Sequence, residues 1–279
     1  MLLELHSHSW YSKGSILGEE NTVSPVEMVK EARRKGLDGI AITDHNNFKS
    51  WRSLKKLKFD DFVIIPGEEI STLQGHLIAL GITEEIKPEQ DVLETVDKVH
   101  QQGGITIAPH PFDIAKKGLG GWAKFTDAIE VFNAMGLDKF SNLRAYRFAK
   151  KFGKPIVAGT DAHQKEWIGR SVTQVNSYPD IDSILKEIKL GNTRLKKEYI
   201  SINEMTDWYL ERLNRNYANA LRYINTNYRF FKRCLTKKLM KLSGRETYFS
   251  RTSISILSYL SLTGSVTYSF FINFPRCLM

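Results

Sequence analysis

Short apolar runs rich in β-branched residues alternate with helical segments through the first 200 residues. The runs lie at residues 2–5, 39–42, 62–66, 76–80, 105–108, 128–132 and 155–158, and the helical segments at 24–35, 89–102, 138–152 and 181–190. The segment that begins at Ser24 reads Ser-Pro-Val-Glu, which is typical of a capped helix start, and Gly36 follows it as a stop. Alternating strands and helices predict an α/β fold with a parallel sheet or barrel.

Charge divides the 279 residues unevenly. Residues 1–200 hold 28 basic and 27 acidic residues, whereas residues 201–279 hold 12 and 4, so the C-terminal part carries most of the net charge of +9. We therefore predict a domain at residues 1–200 and a basic extension at residues 201–279, and expect any polyanion to bind the extension. Cys234 and Cys277 form no metal-ligand pattern and no signal peptide precedes the first run, so we expect a cytoplasmic protein.

Six of the seven histidines lie at the edges of the apolar runs. His6 and His8 follow the first run, Asp44 and His45 the second, Glu68 and Glu69 the third, His110 the fifth and Asp161 and His163 the seventh, while His76 opens the fourth. The carboxyl ends of parallel strands meet at one face, where active sites are built. The pair His6 and His8 alone could simply share one side of a strand, but the whole set indicates a metal site. His100, in a helical segment, is interpreted as a surface histidine.

The motifs HSH, TDH, GEE, GH, HP and TDAH occur in that order within about residues 1–175 and together resemble the PHP domain family (polymerase and histidinol phosphatase). The resemblance implies a distorted seven-stranded β/α (TIM-like) barrel that holds two or three divalent metal ions and acts as a phosphoesterase. It assigns a first metal to His6, His8, Glu69 and Asp161, a second to His45 and His163, and a third to His76 and His110 with Glu69 as a bridge. Glu69 is chosen over Glu68 because the family pattern is Gly, any residue, Glu, counted from Gly67.

Imidazole and carboxylate ligands without cysteine suit Mn, Zn or Fe. A water shared between neighbouring ions becomes hydroxide near neutral pH. Glu69 and Asp161 are the expected catalytic carboxylates, together with Asp44, which is expected to orient its neighbour His45 rather than to bind metal.

The predicted function is hydrolysis of a small phosphate ester by metal-activated hydroxide. A nucleotide or short oligonucleotide is favoured because of the family resemblance and the basic extension. Three alternatives stay open: a histidinol-phosphate-type phosphatase, a non-catalytic RNA-binding scaffold of the same fold, and a metal-dependent amidohydrolase, whose family also begins with a histidine pair.

The chain departs from the family pattern just after the first histidine pair. Many members carry an aspartate there as a ligand of the second metal, whereas this chain reads Ser12-Lys13-Gly14. Glu19 or Glu20 could take the place of that aspartate. Lys13 is either a contact for substrate phosphate or a surface lysine. Asn46 and Arg170 are further candidate substrate contacts, and an ordinary loop arginine is the alternative for Arg170.

Residues 203–243 carry apolar residues at steps of three and four, which predicts one long amphipathic helix ended by Gly244. Its apolar stripe is expected to pack on the barrel or on a second copy of the chain. The alternatives are that its basic face binds nucleic acid or, as a third choice, that the helix lies on a membrane surface. Residues 252–275 carry no charge, and their apolar residues alternate. A hairpin with its turn at residues 263–265 is therefore favoured over a membrane-spanning helix.

Overall fold

The computed structural model describes residues 1–14, 18–136, 138–243, 263–264 and 266–273. Its strands are β1 (Leu2–Glu4), β2 (Lys13–Gly14), β3 (Gly18–Glu19), β4 (Gly39–Ile42), β5 (Val63–Ser71), β6 (His76–Leu80), β7 (Ile105–Ala108), β8 (Ala128–Asn133), β9 (Ile156–Gly159), β10 (Val172–Val175) and β11 (Thr193–Lys196). Its helices are α1 (Pro25–Arg34), α2 (Lys49–Leu54), α3 (Val92–Gln101), α4 (Lys139–Lys151), α5 (Ile181–Leu190), α6 (Ile202–Arg215), α7 (Tyr217–Asn227) and α8 (Phe230–Ser243).

Nine strands form one sheet in the order β11-β10-β1-β4-β5-β6-β7-β8-β9. The seven predicted strands are β1 and β4 to β9, and they occupy consecutive places. A bridge between Ser7 and Ala162, with a hydrogen bond from the His8 N–H to the Ala162 carbonyl (2.9 Å), joins the ends of β1 and β9. The sheet therefore nearly closes, and the prediction of a distorted seven-stranded β/α barrel is confirmed.

The distortion comes from β6, which runs antiparallel to both β5 and β7, whereas the other neighbours among the seven barrel strands are parallel. Because β6 is reversed, its first residue, His76, lies at the edge where the parallel strands end. His76 can therefore lie next to histidines that come after the parallel strands, although it is the first residue of its own strand.

The two sides of the barrel strands face different partners. On β4, Ile40 and Ile42 pack outward against Met28 of α1, whereas Ala41 faces the interior cluster. That cluster also contains Leu185 of α5, together with residues from the ends of β6 and β7 where the parallel strands start. Helix α5 therefore closes the end of the barrel opposite the histidines.

Local sequence explains why the predicted helices form where they do. Ser24 accepts a hydrogen bond from the Glu27 N–H (3.2 Å) and Glu27 accepts one from the Ser24 N–H (3.1 Å), which forms a capping box around Pro25. Gly36 follows α1 with a φ of 72°, a left-handed conformation that glycine adopts without strain. Helices α1, α3, α4 and α5 confirm the prediction. The short elements α2, β10 and β11 were not predicted, because polar residues interrupt each of them and leave no run of apolar residues.

The extension differs from the predicted single long helix, because α6, α7 and α8 are separate. Asn216 ends α6 and begins α7, and its side-chain amide donates to the Glu19 carbonyl (3.0 Å). Met205 and Trp208 of α6 are buried in the same apolar cluster as Met28 of α1. The domain boundary at residue 200 stays a prediction. The first helix after it, α6, nevertheless packs against the barrel.

Residues 266–273 are helical, so the hairpin interpretation is wrong for this part, and most of residues 252–275 lies outside the described residues. The buried positions of this segment are polar: Ser269 and Asn273 are one helical turn apart, and Asn273 accepts a hydrogen bond from Arg144 of α4 (2.8 Å). Because the buried face is polar, the spacing of apolar residues could not predict this helix. Among the described residues, no helix has both the length and the apolar character needed to cross a membrane. The cytoplasmic location stays a prediction.

Candidate metal centre

The eight residues predicted as metal ligands converge at the edge where the parallel barrel strands end, which we call the histidine face. Four overlapping groups have ligand atoms close enough to share an ion: His8, Glu20, His45 and His163; His6, His110 and Asp161; His6, His8 and Glu69; and His45, Glu69 and His76. All eight predicted ligands occur in these groups, and Glu20 is the only addition among the described residues.

Glu69 lies at the centre of the histidine face and is fully buried. Its Oε2 lies 3.2 Å from Nε2 of both His6 and His8 and 3.4 Å from Nδ1 of His45, while its Oε1 lies 2.8 Å from Nδ1 of His76 and 3.2 Å from Nε2 of His110. Its two oxygens thus face different sets of imidazoles, as a bridging carboxylate requires. Glu68 points the other way, and its Oε2 accepts a hydrogen bond from the Ile86 N–H (3.2 Å).

Asp161 faces the first histidine pair. Its Oδ1 lies 3.1 Å from Nε2 of His8 and 3.5 Å from Nε2 of His6. Asp161 has a φ of 59° and His110 a φ of 31°, both in the left-handed region that most residues avoid. Backbone strain of this kind concentrates at functional sites, where the surrounding structure holds it in place.

Glu20 lies beside the two histidines that the family resemblance assigned to the second metal. Its Oε2 accepts a hydrogen bond from the Ser12 hydroxyl (3.0 Å) and lies 3.6 Å from Nε2 of both His45 and His163. Glu20 is buried, whereas Glu19 and Lys13 are exposed and pair with each other across β2 and β3. Of the two glutamates considered from the sequence, the structure brings Glu20 to the site.

Hydrogen bonds orient several of the imidazoles. Nδ1 of His6 lies 2.9 Å from Oε1 of Glu130, and Nδ1 of His163 lies 2.9 Å from the Asp161 carbonyl oxygen. An Nδ1–H that donates to these oxygens leaves Nε2 of each ring without its proton and free to bind an ion.

Other buried ring nitrogens of the histidine face lack a hydrogen bond of normal geometry, although carboxylate oxygens lie close to two of them. They are Nε2 of His8 and Nδ1 of both His76 and His110. Buried nitrogens are normally satisfied, so three such atoms in one cluster need an explanation. Because they lie beside carboxylates that are typical metal ligands, the donor set fits divalent metal ions.

Two central carboxylates of the histidine face stay ionised although they are buried. Burial raises the pKa of Glu69, but the nearby imidazoles, His45 foremost, outweigh it and hold that pKa well below its usual range. Burial also raises the pKa of Asp161, but the Lys116 ammonium outweighs burial and holds that pKa well below its usual range. Burial lowers the pKa of His8, yet its contacts with Asp161 and Glu69 raise it to about 9. The ionised carboxylates that attract a proton to His8 would equally attract a divalent cation, which releases that proton when it binds the ring.

Glu130 and Gly159 were missed by the sequence analysis. Besides His6, Glu130 accepts hydrogen bonds from the His110 N–H (2.8 Å) and the Asn133 side-chain amide (2.9 Å), so one buried carboxylate on β8 holds two strand ends. A Cβ on Gly159 would lie 2.3 Å from Oε1 of Glu130 and 2.6 Å from Cβ of His6, so only glycine fits there. The signal for Glu130 was an acidic residue inside an apolar run.

Lys116 is another residue that the sequence did not reveal. It comes from the loop after β7 and forms an ion pair with Asp161 Oδ2, while its Nζ lies 3.2 Å from the side-chain oxygen of Asn133. Lys116 thus brings a cation from a loop into direct contact with a carboxylate of these metal-ligand groups.

Asp44, predicted to orient His45, and Asn46, a predicted substrate contact, are both held in hydrogen bonds outside the ligand groups. Asp44 accepts hydrogen bonds from the Ser9 N–H (2.6 Å) and from the Ser9 and Ser50 hydroxyls, so it holds the backbone near His8 and His45 and belongs to none of the ligand groups. Asn46 is paired with Ser71 through both its side-chain atoms (2.8 and 3.1 Å).

Arg170 does not reach the histidine face. Its guanidinium pairs with Glu198 and with Glu204 (2.8 Å), in a pocket that Leu2 lines at the start of β1. The structure therefore does not bring Arg170 together with the predicted ligands, because the loop after His163 turns its side chain toward the opposite end of β1.

Comparison with known proteins agrees with this architecture. The PHP-associated family model matches residues 139–193, which include α4, β9, β10 and α5. The chain is 34% identical over 240 residues to the uncharacterized protein MJ0417 of Methanocaldococcus jannaschii, a match that covers 79% of this chain and 94% of that protein. It is 35% identical over 149 residues to MJ1587 of the same organism, covering 51% of this chain and 87% of that protein.

A solved structure shares the fold. It is a two-domain protein from Bacteroides vulgatus containing a predicted PHP-like metal-dependent phosphoesterase, with a TM-score of 0.56 and 17% identity over 75% of this chain and 69% of that one. The family match, the ordered motifs and the distorted barrel with its histidine face lead to one conclusion: the chain belongs to the PHP domain family.

Proposed function

We propose that the protein is a metal-dependent hydrolase that cleaves a phosphate ester. The observation that carries the proposal is the convergence of six histidines with Glu20, Glu69 and Asp161 on one face of the barrel. Divalent ions bound by these groups would supply Lewis acidity and activate water for attack on a phosphoryl group. Two or three ions of Mn, Zn or Fe suit the ligands, and the intact ligand set favours an enzyme over a non-catalytic RNA-binding scaffold.

The protein's own side chains have distinct parts in this reaction. Glu69 would hold two ligand groups together through its separate oxygens, and its negative charge would offset the repulsion between neighbouring cations. Glu130 would keep His6 in the tautomer that presents Nε2. Asp44 would act through the backbone of Ser9 rather than by touching substrate, so it is a positioning residue.

Lys116 is the residue we propose as the contact for substrate phosphate, in place of Arg170. Burial lowers the pKa of Lys116, but Asp161 and other nearby carboxylates raise it well above its usual value, so the ammonium stays charged. If Asp161 holds a metal ion, the Lys116 ammonium beside it would be free to contact a bound phosphate. Lysine binds phosphate as a point charge.

A nucleotide or short oligonucleotide remains the favoured substrate. A groove of about 510 Å³ opens beside His163 and is lined by Trp208, Arg215 and Gln164 among others, which is a volume suited to a small ligand. Further along the extension, Phe230 and Phe231 of α8 are 73% and 82% exposed beside several lysines. Exposed aromatic rings and basic side chains together favour single-stranded nucleic acid, with a membrane surface as the weaker alternative.

The test combines metal analysis of the purified protein with a panel of substrates at saturating Mn²⁺. The panel holds a nucleoside monophosphate, a short single-stranded oligonucleotide, histidinol phosphate and a cyclic amide. We expect two to three ions per chain and the highest kcat/KM on a nucleotide-containing ester. Hydrolysis of the amide alone would assign the protein to the amidohydrolases, and bound RNA without metal or turnover would favour the scaffold.

A further inference from the structure

Helix α6 of the extension contacts the loop that carries Glu20 along one face. Trp208, Arg212 and Asn216 are spaced four residues apart, so their side chains lie above one another. The indole N–H of Trp208 donates to the Glu20 carbonyl (3.1 Å), Nη2 of Arg212 donates to Glu20 Oε1 (2.9 Å), and the Asn216 amide donates to the Glu19 carbonyl (3.0 Å). Three successive turns of one helix thus hold two consecutive residues of the loop.

The contacts divide the two oxygens of Glu20. Oε1 is held by Arg212, whereas Oε2 points to Ser12 and to the imidazoles of His45 and His163. Glu20 and Arg212 are buried, so this ion pair is little screened by water. One oxygen is therefore anchored and the other is directed at a ligand group.

The same helix also touches a second member of that group. The ring of Trp208 packs edge-on against the ring of His163, with centroids 4.9 Å apart, and Trp208 is only 2% exposed. Helix α6 thus contacts both Glu20 and His163, which come from opposite ends of the barrel sequence.

We propose that α6 positions the second metal-binding group, with Trp208 and Arg212 as the positioning residues that fix Glu20. The proposal rests on the metal-dependent function proposed above. Glu20 lies outside the barrel strands, on a loop after the two-residue strand β3, so without α6 its side chain would lose rotamer freedom on binding an ion. Arg212 and Trp208 order it beforehand. In this chain the extension would thereby complete a site that the barrel alone leaves without its family aspartate.

The test measures metal content and affinity in the full-length protein. We expect Arg212→Met to keep the fold and the tightly bound ions, but to lose about tenfold or more in affinity for the weakest one, the usual range for a residue that orients a ligand. Arg212→Lys, which retains the charge, should restore part of that affinity. Arg222→Met is the matched control, because Arg222 is an exposed arginine on α7, and it should bind metal as the wild type does. Folding is checked by circular dichroism and metal by mass spectrometry after dialysis against a chelator series.

Two more variants make the outcome decisive. Trp208→Phe keeps the aromatic packing but removes the N–H donor, so it tests the proposal even if Arg212→Met does not fold, and it should also weaken the last ion. Glu20→Gln should remove that ion. If Glu20→Gln loses an ion while Arg212→Met and Trp208→Phe bind metal as the wild type does, α6 is not a positioning element and the proposed function stands. A wild-type protein that binds no divalent ion would overturn the proposed function itself.

Discussion

Side chains of the histidine face and of the extension reach the same site by different routes. His6, His45 and Asp161 follow barrel strands, so the backbone of the sheet places them. Trp208 and Arg212 belong to a helix of the extension that packs on the barrel and reaches the site through its side chains. Predicted ligands that follow strands can be found from the order of motifs in the sequence. The contacts of α6 with the site can be found only from the tertiary structure.

Truncation of the extension is expected to change stability and metal content more than any single substitution does, and its size depends on which helices are removed. A chain that ends at residue 200 loses Met205 and Trp208 from the apolar cluster they share with α1. Removing a buried tryptophan alone costs about 3–5 kcal/mol of folding free energy, so we expect this chain to unfold at a much lower temperature and to lose metal. A chain that ends at residue 228 keeps α6 and α7, so its unfolding temperature and its metal content should stay near those of the full-length protein.

Thermal unfolding followed by circular dichroism, with metal content measured in parallel, distinguishes the two truncated chains. An unchanged melting temperature and unchanged metal content in the chain that ends at residue 200 would show that the barrel folds alone and that the predicted boundary is a true domain boundary.

Within the barrel, Glu69→Gln should have the largest effect of a single substitution. The change preserves shape but removes the negative charge that faces five imidazoles. We expect the loss of at least one ion and a fall in kcat/KM that exceeds the about 10- to 100-fold typical of residues around metal ligands. Both are measured on the same preparation, by metal analysis and by phosphate release.

Glu68→Gln is the matched control for that variant. Burial raises the pKa of Glu68 to about 8, so its carboxyl is mostly protonated at pH 7 and the amide changes little charge there. Activity should stay near that of the wild type. An inactive Glu68→Gln beside an active Glu69→Gln would mean that the two side chains have exchanged places along β5.

Lys116→Met should raise KM for a phosphate ester by about tenfold or more, the size expected for one charged hydrogen bond. Metal content should not change, because Lys116 is not a ligand. Lys117→Met is the control, since Lys117 is exposed and adjacent in sequence. If Lys116→Met loses metal instead, the lysine positions Asp161 and does not bind substrate.

On the extension, a triple variant of Lys232, Lys238 and Lys241 to Gln tests the basic face of α8. Each lost phosphate contact should lower the slope of log K against log salt by about 0.7 for a single-stranded oligonucleotide. Fluorescence anisotropy at several salt concentrations measures the slope. The same change at Lys55, Lys56 and Lys58, three exposed lysines of the barrel, should have no effect, and equal slopes in both variants would exclude α8 as the binding surface.

The smallest effect is expected at Lys13, where the sequence departs from the family pattern. Because Glu20 already reaches the second ligand group and Lys13 is exposed, Lys13→Asp should leave the metal content unchanged. Mass spectrometry of the dialysed protein measures it. A gain of one ion would show that Glu20 does not serve as a ligand and that the family position was still open.

The seven barrel strands, four of the helices around them and the eight residues that converge on the histidine face could all be predicted from local sequence. Strands of four or five apolar residues and capped helices are local features, and the motifs that follow the strands must share one face once the sheet closes. His76 was found by its motif, but only the reversed β6 explains how a residue that opens a strand joins that face.

Tertiary contacts were needed to show which of Glu19 and Glu20 lies beside His45 and His163, and to place Glu130, Gly159 and Lys116 next to the predicted ligands. Glu19 and Glu20 are neighbours in sequence, but only Glu20 is buried and bound by Arg212, which lies 192 residues further along the chain. The same holds for residues 266–273, whose buried face is polar and therefore leaves no apolar period. Contacts between polar groups distant in sequence depend on the docked arrangement of whole elements, and no local pattern of hydropathy contains that arrangement.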